Sequence, residues 1–217
     1  PMSFMKNLDF LQNEIFDQLI IREKEILRSN SAILDFDAEG MLFKSGSFSS
    51  FVYYIEEGCL KLKKDDRDLF FILEKGNILG LDYIFNDEPV YYSAYASKGS
   101  RIVQINAHIL RNFVSSNSLF LGSVYRKNST LNKKLISSLL DYRAKNLNGA
   151  FAAFLLQYDQ ENSPELTRKE IGSLLGYSRE NITKVVRSFI AEGIIEEDEK
   201  HIRIMDKNLL ETLRKNG

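Results

Sequence analysis

The chain has 217 residues, 44% of them hydrophobic, so it is long and apolar enough to form one large domain or two small ones. Its 29 basic and 30 acidic residues give a formal net charge of −1, which excludes a general attraction to nucleic acid or anionic membranes and leaves only local patches. One cysteine and two histidines exclude an internal disulfide and a four-cysteine iron–sulfur site, so we predict no metal site.

The N-terminal sequence, PMSFMKNLDF, lacks the order of basic, apolar and small residues that is typical of a signal peptide. The sequence also contains no run of 18 apolar residues that would predict a membrane-spanning helix. We therefore expect a cytoplasmic protein without a membrane partner, and the single Cys59 agrees with a reducing compartment.

Short apolar runs separated by turn residues extend from Ile33 to Ile105, and they include FVYYIEEG, CLKLKKDDRD and ILGLDYIF. Their spacing is typical of a β-sandwich or β-barrel. Glycines such as Gly46 and Gly58 lie between the runs, where tight turns favour a residue that adopts positive φ. The residues up to Arg28 predict short helices packed on the strands. Residues 1–117 are therefore predicted to form a β domain with N-terminal helices.

A helical period replaces this pattern after Asn106, and a long helix is predicted over residues 118–147. A helix of about 28 residues within this segment, starting near Leu119, runs roughly 42 Å, which is too long to be covered by one small domain. Apolar positions recur at alternating steps of three and four, the pattern of a two-stranded coiled coil. The predicted dimer seam comprises Leu121, Val124, Asn128, Leu131, Leu135, Ser138 and Tyr142. The alternative is a stripe that packs only on the β domain, but the polar Asn128 favours dimerisation because such residues commonly set helix register.

Residues 167–187, TRKEIGSLLGYSRENITKVVR, predict two helices joined by a short turn. Thr167 and Glu170 are spaced as a capping box, which starts the first helix. Gly176 is expected to end that helix, and Ser178 to be the N-cap of the second. Two helices with a glycine at the bend are typical of a helix-turn-helix unit.

Basic residues concentrate in this unit, which has five basic and two acidic residues and therefore a local charge of +3. Side chains at the start of the second helix could enter a major groove while its N-terminal amides approach phosphate. There Arg179 suits guanine, and Glu180 suits the amino group of cytosine. The candidate DNA-binding residues are Thr167, Arg168, Ser178, Arg179, Glu180, Asn181, Lys184 and Arg187. The alternative is a solvated charged face on a helical hairpin.

The following segment, FIAEGIIEEDEKHIRIMD, predicts a turn at Gly193 and two short strands, IIEE and HIRIM. This hairpin would be the wing of a winged helix, in a C-terminal domain over residues 148–217. Its tip, EEDEK, is acidic, so we assign it no phosphate contact. We find no nucleophile–base pair, glycine-rich phosphate loop or ligand cluster, and we therefore predict that the protein is not an enzyme.

In this order of elements the chain resembles the Crp/Fnr family of bacterial transcription regulators, over about residues 30–206. The resemblance is carried by YYIEEGCLKL, by LEKGNILGLDYIF and most specifically by TRKEIGSLLGYSRENITKVVRSFIAEGII. It implies an α+β fold with an N-terminal β-roll like the jelly roll of cyclic-nucleotide-binding domains, a long dimerisation helix and a C-terminal winged helix-turn-helix. It also implies a homodimer on a palindromic operator, with recognition helices in successive major grooves about 34 Å apart, and RNA polymerase as a partner.

The ligand site departs from the family pattern. Members that bind cyclic AMP carry Gly-Glu-Leu for the ribose and Arg-Ser-Ala for the phosphate, whereas this chain has Gly80-Leu81-Asp82 and Tyr92-Ser93-Ala94. Without the arginine a buried phosphate would lack its charge partner, so cyclic AMP is not expected as the effector and no cofactor is predicted. The candidate effector pocket comprises Gly80, Leu81, Tyr83, Tyr92, Ser93, Leu135 and Ile136. It could accept an apolar or aromatic ligand, or be filled by these side chains.

The recognition sequence departs at one position. Family members with the pattern S-R-E-x-x-x-R read a TGTGA-like half-site, but the last residue here is Lys184, which cannot make the planar two-pronged contact of arginine. The operator sequence therefore stays open. The leading prediction is a homodimeric, sequence-specific DNA-binding regulator of transcription. The alternative is a β-roll regulatory or protein-interaction module without DNA binding.

Overall fold

The structure is a computed structural model, and it describes residues 9–158, 165–198 and 201–217. Two short 3-10 helices, Asp9–Gln12 and Glu14–Phe16, lead to helix α1 (Ile21–Ser29). The second 3-10 helix starts where the side chain of Asn13 accepts a hydrogen bond of 3.2 Å from the amide of Ile15. These elements confirm the short helices that were predicted before the strands.

Eight strands follow between Ser31 and Asn106, and they form two four-stranded sheets. In chain order they are β1 (Ser31–Asp35), β2 (Gly40–Phe43), β3 (Phe51–Glu57), β4 (Cys59–Lys64), β5 (Asp68–Glu74), β6 (Ile78–Leu79), β7 (Ser93–Ala96) and β8 (Arg101–Asn106). The sheet orders are β1-β8-β3-β6 and β2-β7-β4-β5, and β8 pairs antiparallel with both β1 and β3. Strands far apart in sequence are thus neighbours in space, as in a jelly roll, which confirms the predicted β-roll.

The run ILGLDYIF is extended only over Ile78–Leu79, so the strand expected there is wrong beyond that point. Gly80 adopts a φ of 90°, which favours glycine, and a 3-10 helix follows at Leu81–Ile84. A Cβ atom on Gly80 would lie 2.5 Å from the ring of Tyr83. The glycine therefore turns the chain and leaves space for Tyr83, which an apolar pattern alone does not reveal.

One buried apolar cluster joins the N-terminal helices, β3, β8 and helix α2 (Ala107–Ser116). Val52 and Ile105 are opposite each other on β3 and β8, and both are fully buried. Phe113 of α2 packs edge-on against Phe120 of the next helix, with 6.4 Å between ring centroids. The helices therefore cover the apolar face of one sheet.

Helix α3 spans Ser118–Arg143, which is 26 residues or about 39 Å. It ends four residues before the predicted end at Leu147, so that prediction is wrong. The reason is local, because the side chain of Asn146 accepts a hydrogen bond of 3.0 Å from the amide of Gly149 and caps helix α4 (Leu147–Gln157). An N-cap residue has an extended backbone, which interrupts the helix.

The C-terminal elements confirm the predicted winged helix-turn-helix. They are α5 (Arg168–Leu175), α6 (Arg179–Ala191), β9 (Ile195–Asp198) and β10 (His201–Ile204). Phe151 of α4 and Phe189 of α6 meet in the core of this region, with 5.5 Å between ring centroids. A further helix, α7 (Lys207–Asn216), packs on α4 and was not predicted from the sequence.

Contacts divide the chain into two compact units, Pro1–Leu60 with Leu73–Asn132 and Lys61–Ile72 with Lys133–Gly217. We call Lys61–Ile72, from β4 and β5, the hairpin segment. The predicted division at 117/118 and 147/148 stays a prediction. Within the described ranges, no helix is both long and apolar enough to cross a membrane.

Candidate DNA-binding site

Local hydrogen bonds define both helices of the helix-turn-helix. Oγ1 of Thr167 accepts a hydrogen bond of 3.2 Å from the amide of Glu170, whose carboxylate accepts one of 2.9 Å from the amide of Thr167. Oγ of Ser178 accepts a hydrogen bond of 3.2 Å from the amide of Asn181 and caps α6. Gly176 ends α5 with a φ of 82°. The predicted capping box, helix end and N-cap are therefore confirmed.

A close approach of backbone sets the orientation of α6 on α5. A Cβ atom on Gly172 would lie 2.6 Å from the carbonyl oxygen of Tyr177, so this approach requires glycine. Four apolar side chains that face one another between the helices are buried: Ile171, Leu175, Ile182 and Val185. The outer face of α6 is thereby directed to solvent.

That outer face is basic. Arg179, Lys184 and Arg187 are exposed, and no acidic side chain of the described residues forms an ion pair with them. Glu180 lies beside them, and its own backbone amide, the Ser178 hydroxyl and the neighbouring cations lower the pKa of its carboxyl. The face therefore carries three positive charges and one negative charge at neutral pH. It adjoins the N-terminal amides of α6, where the helix dipole attracts anions.

Three other predicted DNA-binding residues have partners within the chain. Arg168 forms an ion pair with Glu197 of β9, which ties the start of α5 to the wing. Thr167 uses its hydroxyl in the capping box, and Asn181 is half-buried with its amide bonded to the N-cap. Contacts of these side chains with DNA stay predictions.

The wing pairs β9 with β10 antiparallel, with Ile195 opposite Ile204. Its first strand carries exposed acidic residues, Glu196, Glu197 and Asp198. Residues 199–200, at the predicted acidic tip, lie outside the described residues. That the wing makes no phosphate contact stays a prediction.

Two tyrosines of the candidate effector pocket pack together with Phe43 in the β-roll. The hydroxyls of Tyr83 and Tyr92 are 2.9 Å apart. The ring centroid of Phe43 lies 6.3 Å from that of Tyr83 and 5.8 Å from that of Tyr92. Burial raises the pKa of Tyr92 to about 12 and raises that of Tyr83 more strongly, so both hydroxyls are neutral. The family resemblance assigns Tyr92 to the position of the arginine, and a neutral tyrosine supplies no positive charge for a phosphate.

The other pocket residues belong to both units. Leu81 and Ser93 are buried, and the Ser93 hydroxyl accepts a hydrogen bond of 3.0 Å from the amide of Ser45. Leu135 and Ile136 lie on α3 in the second unit, where Leu135 is half-buried and Ile136 is exposed. A shared pocket that includes these two residues stays a prediction.

Three exposed apolar residues of α3, Tyr125, Ile136 and Leu139, each lie one position after a residue of the predicted dimer seam. Val124, Ser138 and Tyr142 are buried within their own chain, so the predicted seam is wrong at these positions. Val124 belongs to the core cluster of the first unit, and Tyr142 donates a hydrogen bond of 2.5 Å to Gln157 of α4. The exposed stripe comprises Leu121, Tyr125, Ile136, Leu139 and Leu140. Both stripes have helical spacing, so periodicity alone cannot tell which one covers the core.

A buried ion pair on α5 was missed in the sequence. Lys61 of the hairpin segment is 5% exposed, and its Nζ lies 2.8 Å from Oε1 of Glu170. Lys63 lies 3.9 Å from the same oxygen. Burial alone would raise the pKa of Glu170, but hydrogen bonds from Lys61 and from the Thr167 amide outweigh burial and lower it. The alternation in CLKLKK places both lysines on one face of a strand, but the partner is 109 residues away.

Two family models match the chain, the cyclic nucleotide-binding domain over residues 33–117 and the Crp-like helix-turn-helix domain over residues 149–213. Among solved structures, FixK2 from Bradyrhizobium japonicum has a TM-score of 0.73 and 16% identity, covering 84% of this chain and 96% of that chain. A Crp/Fnr-family transcriptional regulator from Eubacterium rectale has a TM-score of 0.74 and 19% identity, with coverages of 93% and 98%. At these identities the likeness shows the fold. Comparison with curated proteins gave no match.

A β-roll of the cyclic-nucleotide-binding type, a long helix and a winged helix-turn-helix together define a class of transcription regulators. The two matched domains occur here in that order and leave the long helix between them. The chain belongs to the Crp/Fnr family of transcriptional regulators.

Proposed function

We propose that the protein acts as a homodimer that binds a palindromic DNA operator, with one α6 in each of two successive major grooves. The observation that carries this proposal is the outer face of α6, where Arg179, Lys184 and Arg187 are exposed beside the N-terminal amides. Guanidinium groups suit guanine edges, and lysines and backbone amides suit phosphates. Because the whole chain has a net charge of −1, the attraction to DNA is confined to this face.

The exposed stripe of α3 supports the homodimer. Tyr125, Ile136 and Leu139 are 74%, 58% and 59% exposed, which leaves large apolar surfaces in water. Their spacings of 11 and 3 residues place them on one side of the helix. A second copy of α3 would bury both stripes at once, because a two-fold interface uses the same patch twice.

Fluorescence anisotropy tests DNA binding. A duplex selected by the protein from a random-sequence pool is labelled and titrated at several salt concentrations. We expect the logarithm of the association constant to fall linearly with the logarithm of salt concentration, with a slope of about −0.9 per phosphate contact. Arg179→Ala is expected to reduce the free energy of DNA binding by about 1–3 kcal/mol and to relax specificity at one base position. Lys98→Ala, in the β-roll, is the control and is expected to leave DNA affinity unchanged. Absent or salt-independent binding would favour the protein-interaction module instead.

The β-roll is proposed to bind no cyclic AMP. Two observations support this: Tyr92 takes the place that the resemblance assigns to the phosphate-binding arginine, and its hydroxyl and ring contact Tyr83 and Phe43. Isothermal titration calorimetry with cyclic AMP measures the interaction directly, and we expect no saturable heat. A saturable heat at one site per chain would contradict the proposal.

Two further parts of the proposal are supported by the family alone. They are contact of the DNA-bound dimer with RNA polymerase and a cytoplasmic location. Co-elution of the protein, an operator duplex and RNA polymerase tests the first part, and separation of the polymerase from the protein–DNA complex would contradict it.

A further inference from the structure

Side-chain contacts join the end of α3 to the turn of the helix-turn-helix. The hydroxyl of Tyr177 donates a hydrogen bond of 2.9 Å to the carbonyl oxygen of Lys145. Nη2 of Arg143, the last residue of α3, lies 3.5 Å from the carbonyl oxygen of Ser173. Nη1 of Arg143 occupies the place where a Cβ atom on Gly176 would stand. The end of α3 and the link to α4, through Arg143 and Lys145, therefore contact both the end of α5 and the turn that precedes α6.

The chemistry of the turn explains these contacts. The carbonyl of Ser173 is one of the last four of α5, which have no partner inside the helix. A guanidinium is favoured there by the negative end of the helix dipole. Gly176 has a φ of 82° and lacks a side chain, so Arg143 can lie directly on the backbone. The contact of Arg143 thus uses a carbonyl group that the end of α5 leaves free.

From these contacts we infer that Tyr177 and Arg143 are positioning residues, which set the half-site spacing that the dimer accepts. The inference rests on the proposed function, in which α6 binds DNA and α3 dimerises. Helix α6 begins at Arg179, two residues after Tyr177, so a movement of the turn displaces the end of α6 that reads bases. In a homodimer, the distance between the two α6 helices depends on the path from α3 through this turn in each subunit.

If Tyr177 and Arg143 set the spacing, their loss changes binding to palindromes but not to a single half-site. If they only stabilised the helix-turn-helix, both affinities would fall. A single half-site contacts one helix-turn-helix, so its affinity does not depend on the path to α3. A palindrome requires both α6 helices at a set distance and rotation. Loss of the two contacts should therefore change the discrimination between palindromes of different spacing and leave half-site affinity unchanged.

The experiment uses the full chain and a palindromic duplex that it selects from a random pool. Versions with one base pair added or removed between the half-sites rotate one half-site by roughly 35°. We expect the unaltered protein to lose about tenfold or more in affinity for these versions, because binding must then twist the DNA. The double variant Tyr177→Phe, Arg143→Ala is expected to reduce this discrimination to about threefold or less, with half-site affinity within about twofold.

Tyr91→Phe removes an exposed hydroxyl from the β-roll and is the matched control, expected to keep full discrimination. Tyr177→Phe alone keeps the aromatic ring, and it is used if the double variant loses helix content by circular dichroism. If the unaltered protein selects no duplex, the proposed function itself fails. If the unaltered protein binds DNA but accepts all half-site spacings equally, only the inference is overturned. The same holds if the variants discriminate between spacings as well as the unaltered protein does. Equal losses for half-site and palindrome also overturn the inference.

Discussion

Replacing Lys61 by methionine is expected to weaken the attachment of the hairpin segment to α5. Methionine keeps most of the apolar volume of the lysine stem and removes the charge. In the unaltered protein, Nζ of Lys61 lies 2.8 Å from Oε1 of Glu170, and the two side chains are 6% and 17% exposed. Removing one partner of a buried ion pair lowers the free energy of unfolding by about 3–5 kcal/mol. Glu170 keeps its bonds from Thr167 and the nearby Lys63, so we expect a smaller loss, about 2–3 kcal/mol.

This loss depends on pH in a defined direction. The pKa of Glu170 lies below its ordinary value of 4.5, so the pair adds to the free energy of unfolding above that pH. The contribution is lost as the pH falls through the lowered pKa, because the carboxyl is then protonated in both states. In the variant, Lys61 no longer opposes the effect of burial, and the pKa of Glu170 rises. The difference between the two proteins is therefore greatest near neutral pH and decreases in acid.

Urea unfolding followed by circular dichroism measures the effect, at neutral pH and near pH 4. Glu170→Gln and the double variant complete a thermodynamic cycle that isolates the pair. Lys64→Met is the matched control, because Lys64 is exposed on the same strand. A loss below about 0.5 kcal/mol at neutral pH, no larger than for an ordinary surface change, would refute the reasoning. So would a loss that is the same at both pH values.

Three further predictions concern other parts of the molecule. Gly172→Ala places a Cβ atom 2.6 Å from the Tyr177 carbonyl oxygen, so we expect a loss of about 1–3 kcal/mol in urea unfolding; unchanged stability would show that the helices can move apart. Leu139→Glu introduces a charge into the exposed stripe of α3 and should convert dimers to monomers in light scattering, whereas Leu209→Glu on α7 should not. Phe43→Ala removes a buried ring and is expected to cost about 3–5 kcal/mol, measured as a lower unfolding midpoint; a midpoint equal to that of the unaltered protein would contradict close packing there.

The helix-turn-helix was the most predictable part of the chain. Its capping box, its terminal Gly176 and its N-cap at Ser178 each involve residues no more than four positions apart, so short-range hydrogen bonds decide them. The same kind of signal was present for α7, where the side chain of Asp206 accepts a hydrogen bond of 2.9 Å from the amide of Leu209, but it was overlooked. The early end of α3 could also have been predicted from the capping residue Asn146.

Long-range partners could not be predicted in this way. Glu170 forms an ion pair with a lysine on β4 that is 109 residues away in the chain. Arg168 forms one with an acidic residue of the wing that is 29 residues away. The substitution of Tyr92 for the family's arginine was visible in the sequence, but its hydroxyl partner, Tyr83, and the ring of Phe43 were not. No local pattern specifies such pairs, because they form only when separate strands and helices pack together.

The order of residues along the chain was thus enough to establish the types of its elements and the charged face of α6, since helix caps, turns and periodicity are short-range properties. Packing in three dimensions decided which stripe of α3 remains exposed, how Tyr83, Tyr92 and Phe43 pack together and which residues contact the turn before α6. These outcomes depend on which surfaces compete for burial, and an apolar residue lowers the free energy equally well against its own chain or against a second copy.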